Sequence, residues 1–228
     1  MRWTNWTLAA LVVSGMAAQP VAAQQAPSAP QARFVVVLDA AHGGDETGGH
    51  LANGQLEKTF TLALTTRLRS LLGARGIQVV TTRESDAAVD PEKRAEIANH
   101  AAAQACLSIH ASESGTGVHL FVSSLAPVQP MRFPAWKTAQ GAFVSRSLKL
   151  AGVVNSAFLQ AGISTTLART TLPVVDSMTC PAVAVEIAPV QSALHETTAG
   201  LGDLDYQARV AAALAAALVE WRTEAHQP

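Results

Sequence analysis

The sequence predicts an α/β fold: a single domain with a largely parallel, twisted sheet flanked by helices on both faces. Three observations carry that expectation. Runs such as Val35-Val36-Val37-Leu38 and Ala182-Val183-Ala184-Val185 are apolar without polar alternation, as strands covered on both faces are. Segments with apolar residues at helical spacing separate those runs. The chain of 228 residues is 49% hydrophobic and 14% charged, enough for one buried core and without an appended second domain.

Taken in order, Phe34-Val35-Val36-Val37-Leu38 reads as the first strand and runs into a loop, Asp39-Ala40-Ala41-His42-Gly43-Gly44. Phe60, Leu64, Leu68, Leu71 and Leu72 recur at helical spacing between Lys58 and Ala74, and Gly73 and Gly76 supply the stop. Ile77 to Val80 is a second strand, Pro91 to Ala105 a helix, and Cys106-Leu107-Ser108-Ile109-His110 a third strand. Val118 to Ser123 is a fourth strand, and the Pro-rich stretch from Ser124 to Gly141 reads as an irregular surface excursion. Helices are expected over Ala142 to Ala161 and Leu204 to Thr223, with a strand at Ala182 to Ile187 between them.

The N-terminus reads as an address. Arg2 precedes the apolar run Leu8 to Val13, and Val21-Ala22-Ala23 offers the small residues that a signal peptidase accepts. Residues 1–23 are therefore expected to be a signal peptide, and the Pro-, Gln- and Ala-rich residues 24–32 a flexible linker. The domain proper is expected over 33–224. The apolar run is too short and interrupted for a stable membrane span in the mature form. Export to the periplasm or cell wall follows, and there a Cys106–Cys180 bond is chemically permitted, although spacing alone leaves two free thiols equally open. A formal net charge of −1 and 5% aromatic residues give no basis for nucleic-acid binding.

Polar side chains appear where the apolar runs end, and in open α/β sheets ligand sites form beyond the carboxyl ends of the strands. His42 follows the first strand, Glu57 opens the first helix, His110 closes the third strand, and Glu186 interrupts Ala182-Val183-Ala184-Val185-Glu186-Ile187. Taken singly, His42 reads as a loop histidine, His110 as a hydrogen-bonded strand end, and Glu57 as a charge on a helix dipole. Glu186 is the exception, because a carboxylate in an apolar strand is costly unless it is paired, hydrogen-bonded or bound to metal. Two His and a carboxylate with one open position form a common catalytic zinc sphere, in which bound water has a pKa of about 7. A further carboxylate can move that water's proton.

On these residues the chain resembles the zinc-dependent N-acetylmuramoyl-L-alanine amidases of the amidase 3 family. The family's Asp-Pro-Gly-His-Gly-Gly corresponds to Asp39-Ala40-Ala41-His42-Gly43-Gly44, and its Gly-x-x-Glu-Lys to Gly54-Gln55-Leu56-Glu57-Lys58. Gly76-Ile77-Gln78-Val79, Thr82-Arg83, Arg94 and Ala98-Asn99 match the blocks that follow. Ser-Ile-His-Ala-Asn becomes Ser108-Ile109-His110-Ala111-Ser112, and Pro-Ala-x-x-Val-Glu becomes Pro181-Ala182-Val183-Ala184-Val185-Glu186. The blocks extend from Phe34 to about Trp221.

The resemblance implies one zinc ion held by His42, Glu57 and His110, with Glu186 as the catalytic acid/base. It implies hydrolysis of the amide between N-acetylmuramic acid and L-alanine of the peptidoglycan stem peptide, so both stem peptide and glycan are partners. Relatives are often governed by partner proteins, which makes an activating protein part of the expectation. Two other readings stand beside it: a zinc peptidase cutting within the stem peptide, and a non-catalytic peptidoglycan-binding protein of the same fold.

The sequence departs from the family in four places. Ala40-Ala41 replaces Pro-Gly, which is expected to aim His42 differently if the glycine conformation is one that Ala resists. Ser112 replaces Asn, His119 lies where relatives often carry Glu, and Glu46 stands where many have Asp. Arg83 and Arg94 are expected to make structural pairings, and His50 and His119 to be surface or strand histidines.

Overall fold

Continuous apolar runs and helical apolar stripes assemble here into three layers. The computed structural model describes residues 1, 3, 33–52, 54–129, 135–194 and 196–225. The expected signal peptide, residues 1–23, and linker, residues 24–32, lie outside the described residues apart from residues 1 and 3. The elements are β1 (Val35–Ala40), α1 (Glu57–Gly73), β2 (Gln78–Thr81), α2 (Pro91–His100), β3 (Ala105–Ala111), β4 (Val118–Ser123), a 3-10 segment (Trp136–Ala142), α3 (Val144–Gln160), β5 (Thr165–Thr170), α4 (Pro173–Asp176), β6 (Ala182–Ile187), β7 (Val190–Gln191), β8 (Thr197–Ala199) and α5 (Leu204–Ala225). Among the described residues no helix is long and apolar enough to cross a membrane.

The main sheet has six strands in the order β2-β1-β3-β6-β4-β5, and β7 and β8 form a separate two-stranded sheet. All main-sheet pairings are parallel except β4 with β6, which is antiparallel. Alternation along each strand divides its residues between two cores. Val36, Leu38, Leu107, Ile109, Val183 and Val185 face α1, α3 and α5, where Phe60, Leu64, Leu68, Phe158, Leu214 and Trp221 close the larger core. Val37, Cys106, Ala182 and Ala184 face α2 and α4, against Ala95, Ala98, Val175 and Met178. Burying each large side chain of the first core stabilises the fold by about 1.5–3 kcal/mol, so Leu68→Ala is the kind of change that would loosen α1 from the sheet.

Three local differences from the sequence expectation have physical causes. The α2 helix stops at His100 rather than Ala105, because Ala102 takes a left-handed backbone, φ 47°, and turns the chain into β3. Alanines alone did not signal that stop. The edge strand β5, Thr165-Thr166-Leu167-Ala168-Arg169-Thr170, was absent from the expectation because five of its positions are exposed and it has no apolar run. The Ser124–Gly141 excursion ends in the 3-10 segment. Residues 130–134 of it lie outside the described residues.

Cys106 at the start of β3 and Cys180 just before β6 are joined by a disulfide, with Cα atoms 6.2 Å apart. The buried Gln140 amide ties the same region from the 3-10 segment: its Nε2 donates to the carbonyls of Met178 and Cys180, each at 3.0 Å. Its Oε1 accepts from Ser147 Oγ at 2.7 Å.

Candidate metal and acid–base site

The site lies at the carboxyl ends of β1, β3 and β6, where the face toward α2 and α4 opens to solvent. His110 is the penultimate residue of β3, and Glu186 the penultimate residue of β6. Parallel pairing aligns His110 with Glu186, and antiparallel pairing aligns Glu186 with His119 of β4. Register partners share a sheet face, so these three side chains form one row.

Glu57 is the first residue of α1, only 6% exposed, and its carboxylate bridges the two histidines. Oε1 lies 3.1 Å from His110 Nδ1, and Oε2 lies 3.1 Å from His42 Nε2. Backbone donors complete its surroundings: Ala111 N–H reaches Oε1 at 3.1 Å and Gly49 N–H reaches Oε2 at 2.8 Å. Burial alone would raise this carboxyl's pKa, but the bonds from His110, His42, Gly49 and Ala111 outweigh it and hold the group well below the usual carboxylate range. The His42 pKa is raised above 6.5, chiefly by the Glu57 contact working against burial, with Glu46 adding to it.

One donor atom each from His42, Glu57 and His110 lie within 4.8 Å of one another, and they form the cluster able to hold a metal among the described residues. Two imidazole nitrogens and one carboxylate oxygen suit zinc and leave a fourth position open. The outer side of each imidazole is also engaged, as metal-bound histidines require. His42 Nδ1 is 3.1 Å from Glu46 Oε1, and His110 Nε2 is 3.4 Å from Ser108 Oγ. Ser108 Oγ in turn donates to Asp39 Oδ2 at 2.7 Å. The donor set and its surroundings therefore fit zinc.

The Ala40-Ala41 substitution does not displace His42 from this cluster. Among the described residues only His42 and Ala102 are non-glycine positions with positive φ, so Ala41 is outside the left-handed region and His42, at φ 61°, carries the turn itself. Histidine adopts that conformation more readily than most side chains. The loop is then clamped by cations. Arg94 Nη2 donates to the His42 carbonyl at 2.6 Å, while Arg94 Nη1 donates to Asp39 Oδ1 at 2.8 Å in a buried ion pair. Arg83 Nε donates to the Ala40 carbonyl at 2.9 Å, and Lys58 Nζ bridges the Gly44 carbonyl and Asp86, both at 2.7 Å. Arg94 thus makes the structural pairing expected of it, whereas Arg83 binds carbonyl oxygens rather than a carboxylate. Gly48, at φ 68°, leaves no room for a Cβ, which would stand 2.5 Å from the His42 ring and 2.6 Å from Glu57 Oε2.

Glu186 is half-buried at the rim, and its carboxylate makes no hydrogen bond with a described residue. His119 Nδ1 lies 2.8 Å from Thr166 Oγ1, and its ring packs beneath Gly115, so it stands outside the metal cluster, as does His50. Sequence reasoning missed Asp39 and Ser108 as supports of the site. Their signal was a polar residue inside a buried strand, Ser108 two residues before His110 and Asp39 three before His42.

A cavity of about 200 Å³ adjoins the cluster, with Asp39, His42 and His110 on one side and Pro91 and Leu172 to Val175 on the other. One end is thus set up for polar chemistry on a bound substrate, and the opposite wall is apolar.

Residues 36–220 match the model of a family described as N-acetylmuramoyl-L-alanine amidase. The N-acetylmuramoyl-L-alanine amidase AmiA of Escherichia coli (strain K12) is 39% identical over 115 residues, which are 46% of this chain and 39% of that protein. The germination-specific N-acetylmuramoyl-L-alanine amidase of Bacillus subtilis (strain 168) is 34% identical over 97 residues, 36% of this chain and 40% of that protein. The alignments thus span about two fifths of these curated relatives. The solved catalytic domain of CwlV, an N-acetylmuramoyl-L-alanine amidase from Bacillus (Paenibacillus) polymyxa var. colistinus, superimposes with a TM-score of 0.66 at 28% identity, covering 83% of this chain and 98% of that one.

Proposed function

The chain belongs to the N-acetylmuramoyl-L-alanine amidase family, and from that premise we propose that it is an exported zinc amidase of peptidoglycan. Its bond is the amide joining the lactyl group of N-acetylmuramic acid to L-alanine of the stem peptide. The observation that carries the reading is the convergence of His42, Glu57 and His110 within 4.8 Å beside Glu186, a strand neighbour of His110.

His42 Nε2, Glu57 and His110 Nδ1 would hold one zinc ion. Zinc there supplies a polarised carbonyl and water acidic enough to attack near neutral pH. Glu186 takes the proton of the attacking water and returns it to the nitrogen of the departing L-alanine, acting first as base and then as acid. Glu46 and Ser108 hold the imidazoles with their donor nitrogens turned inward. Asp39, neutralised by Arg94, fixes Ser108. The apolar wall of Leu172 to Val175 excludes water from the far side of the bound substrate.

The signal-peptide reading of residues 1–23 agrees with a substrate outside the cytoplasmic membrane. So does the Cys106–Cys180 bond, since disulfides persist in oxidising compartments. The activity is tested by incubating the protein with purified peptidoglycan and measuring newly exposed L-alanine amino termini. Zinc-dependent release that a chelator abolishes and zinc restores is the expected result. New amino termini on any other stem residue would establish the peptidase reading instead, and zinc binding without release under all conditions would overturn hydrolysis by the chain alone.

A further inference from the structure

The cavity beside the metal cluster has a floor and a wall of different character. Asp39, Arg94 and Ser108 form the floor, and their polar atoms are spent on one another and on the chain. Asp39 Oδ1 accepts from Thr82 Oγ1 and Arg94 Nη1, both at 2.8 Å, and Oδ2 accepts from Ser108 Oγ at 2.7 Å. Arg94 also donates to the carbonyls of Val89, Ala40 and His42. The wall of Pro91, Leu172, Val174 and Ala184 is apolar, and Leu172 and Val174 are only half-buried. A floor whose polar groups are satisfied and a wall with uncovered apolar surface select an apolar occupant.

The wall is also fixed in place. Asn99 of α2 donates through Nδ2 to the Ser177 carbonyl at 3.0 Å and accepts the Thr179 N–H at 2.7 Å. Gln140 Nε2 donates to the Val175 carbonyl at 3.3 Å, and Asp176 Oδ2 accepts the Leu172 N–H at 3.0 Å. Held from α2 and from the 3-10 segment, α4 keeps the cavity open at about 200 Å³. An alanine methyl is close in size to a water molecule, which occupies about 30 Å³ in the liquid, whereas an apolar cavity of about 150 Å³ takes a benzene ring. The space therefore exceeds what an alanine side chain fills.

Ala184 precedes Glu186 by two residues on the same face of β6, so the wall leads up to the carboxylate that hands a proton to the departing nitrogen. The substituent on the α-carbon next to that nitrogen is the group that reaches the cavity. We propose that the cavity is a side-chain pocket for the amino acid whose nitrogen is released, and that it extends the reaction to N-acetylmuramoyl amides of branched apolar L-residues such as leucine. Leu172 and Val174 set the choice. The inference rests on the amidase reading, and the chemistry is the same hydrolysis. The bond between the carbonyl carbon and the leucine nitrogen breaks, the hydroxyl of water goes to that carbon, and the proton goes to that nitrogen.

The test compares N-acetylmuramoyl-L-leucyl-D-isoglutamine with N-acetylmuramoyl-L-alanyl-D-isoglutamine as substrates of the zinc-loaded full chain. One added methylene in an apolar pocket changes kcat/KM by about tenfold or more, so the leucyl substrate is expected to be favoured at least that much. Val174→Phe fills the pocket and is expected to lower the leucyl-to-alanyl ratio about tenfold, with circular dichroism reporting that the variant is folded. A leucyl substrate cut less well than the alanyl one, or a ratio that Val174→Phe leaves unchanged, would overturn the proposal. Titration calorimetry with the dipeptides L-leucyl-D-isoglutamine and L-alanyl-D-isoglutamine reads the pocket without turnover. Tighter binding of the leucyl dipeptide, lost in Val174→Phe, is expected; equal affinity or no binding of either overturns the pocket. Hydrolysis of neither substrate together with that leucyl preference in binding would remove the amidase reading and leave the pocket standing.

Discussion

His110 and Glu186 are register partners on adjacent parallel strands, so the imidazole and the carboxylate stand side by side on one face of the sheet. A slip of one residue between β3 and β6 would turn Glu186 into the opposite core. The partnership separates two roles that mutation can resolve. Glu186→Gln keeps the shape but cannot accept a proton, and kcat is expected to fall by roughly 10²–10⁴ with zinc content by atomic emission unchanged. His110→Ala is expected to lose both.

The Cys106–Cys180 bond closes a loop with a sequence separation of 74 residues. Chain-entropy arguments assign such a loop about 4 kcal/mol, and measured bonds usually contribute 2–4 kcal/mol. The Cys106→Ala/Cys180→Ala variant is therefore expected to unfold at lower denaturant by that amount. A reductant should lower wild-type stability to the same level while leaving the double variant unaffected, and urea titrations read both.

Without metal, the histidine–carboxylate cluster makes stability depend on pH in two opposite senses. The depressed pKa of Glu57 contributes stability that is full above 4.5 and lost as pH falls below it. The raised pKa of His42 contributes stability that is full below 6.5 and lost as pH rises through its folded value above that. Metal-free protein is expected to melt highest between these two values. Zinc requires neutral imidazoles, so its stabilising effect should grow as pH rises past 6.5. Melting curves with chelator and with zinc, from pH 4 to pH 8, check both trends.

Arg94 and Asp39 form a pair that is buried on both sides, and the arginine also holds the His42 carbonyl. Removing one member of a buried pair costs about 3–5 kcal/mol, because the other charge is left unpaired. Arg94→Ala is expected to lose that much stability in urea unfolding. Zinc affinity should weaken by roughly 10–100-fold, as for other losses behind a ligand, and competition with a fluorescent chelator measures it.

Much of the site was legible in the sequence because its residues interrupt apolar runs. His110 and Glu186 break buried strands, His42 lies in the loop just beyond one, and Glu57 stands at a helix start. The parallel strands were legible for the same reason. What escaped were features without an apolar period: the exposed edge strand β5, the short α4 that walls the cavity beside the cluster, and the left-handed stop at Ala102. Pairings between distant residues also escaped. Nothing local in Ser108 announces that it joins Asp39 to His110, and nothing in Ala40-Ala41 announces that His42 itself takes the positive φ.

The strand order gives this domain a particular sequence of assembly. Strands β3 and β4 are consecutive in the chain, yet β6 lies between them. Neither can present its native edge to the other while the chain is being made, and both edges remain unsatisfied until residues 182–187 have emerged. Insertion of β6 unites the two halves of the sheet, and Glu186 arrives with it. Folding is therefore delayed until most of the polypeptide is available, a slow, non-local closure. Glu186 enters the sheet in the same step that completes it, so no partly built form brings it beside His110.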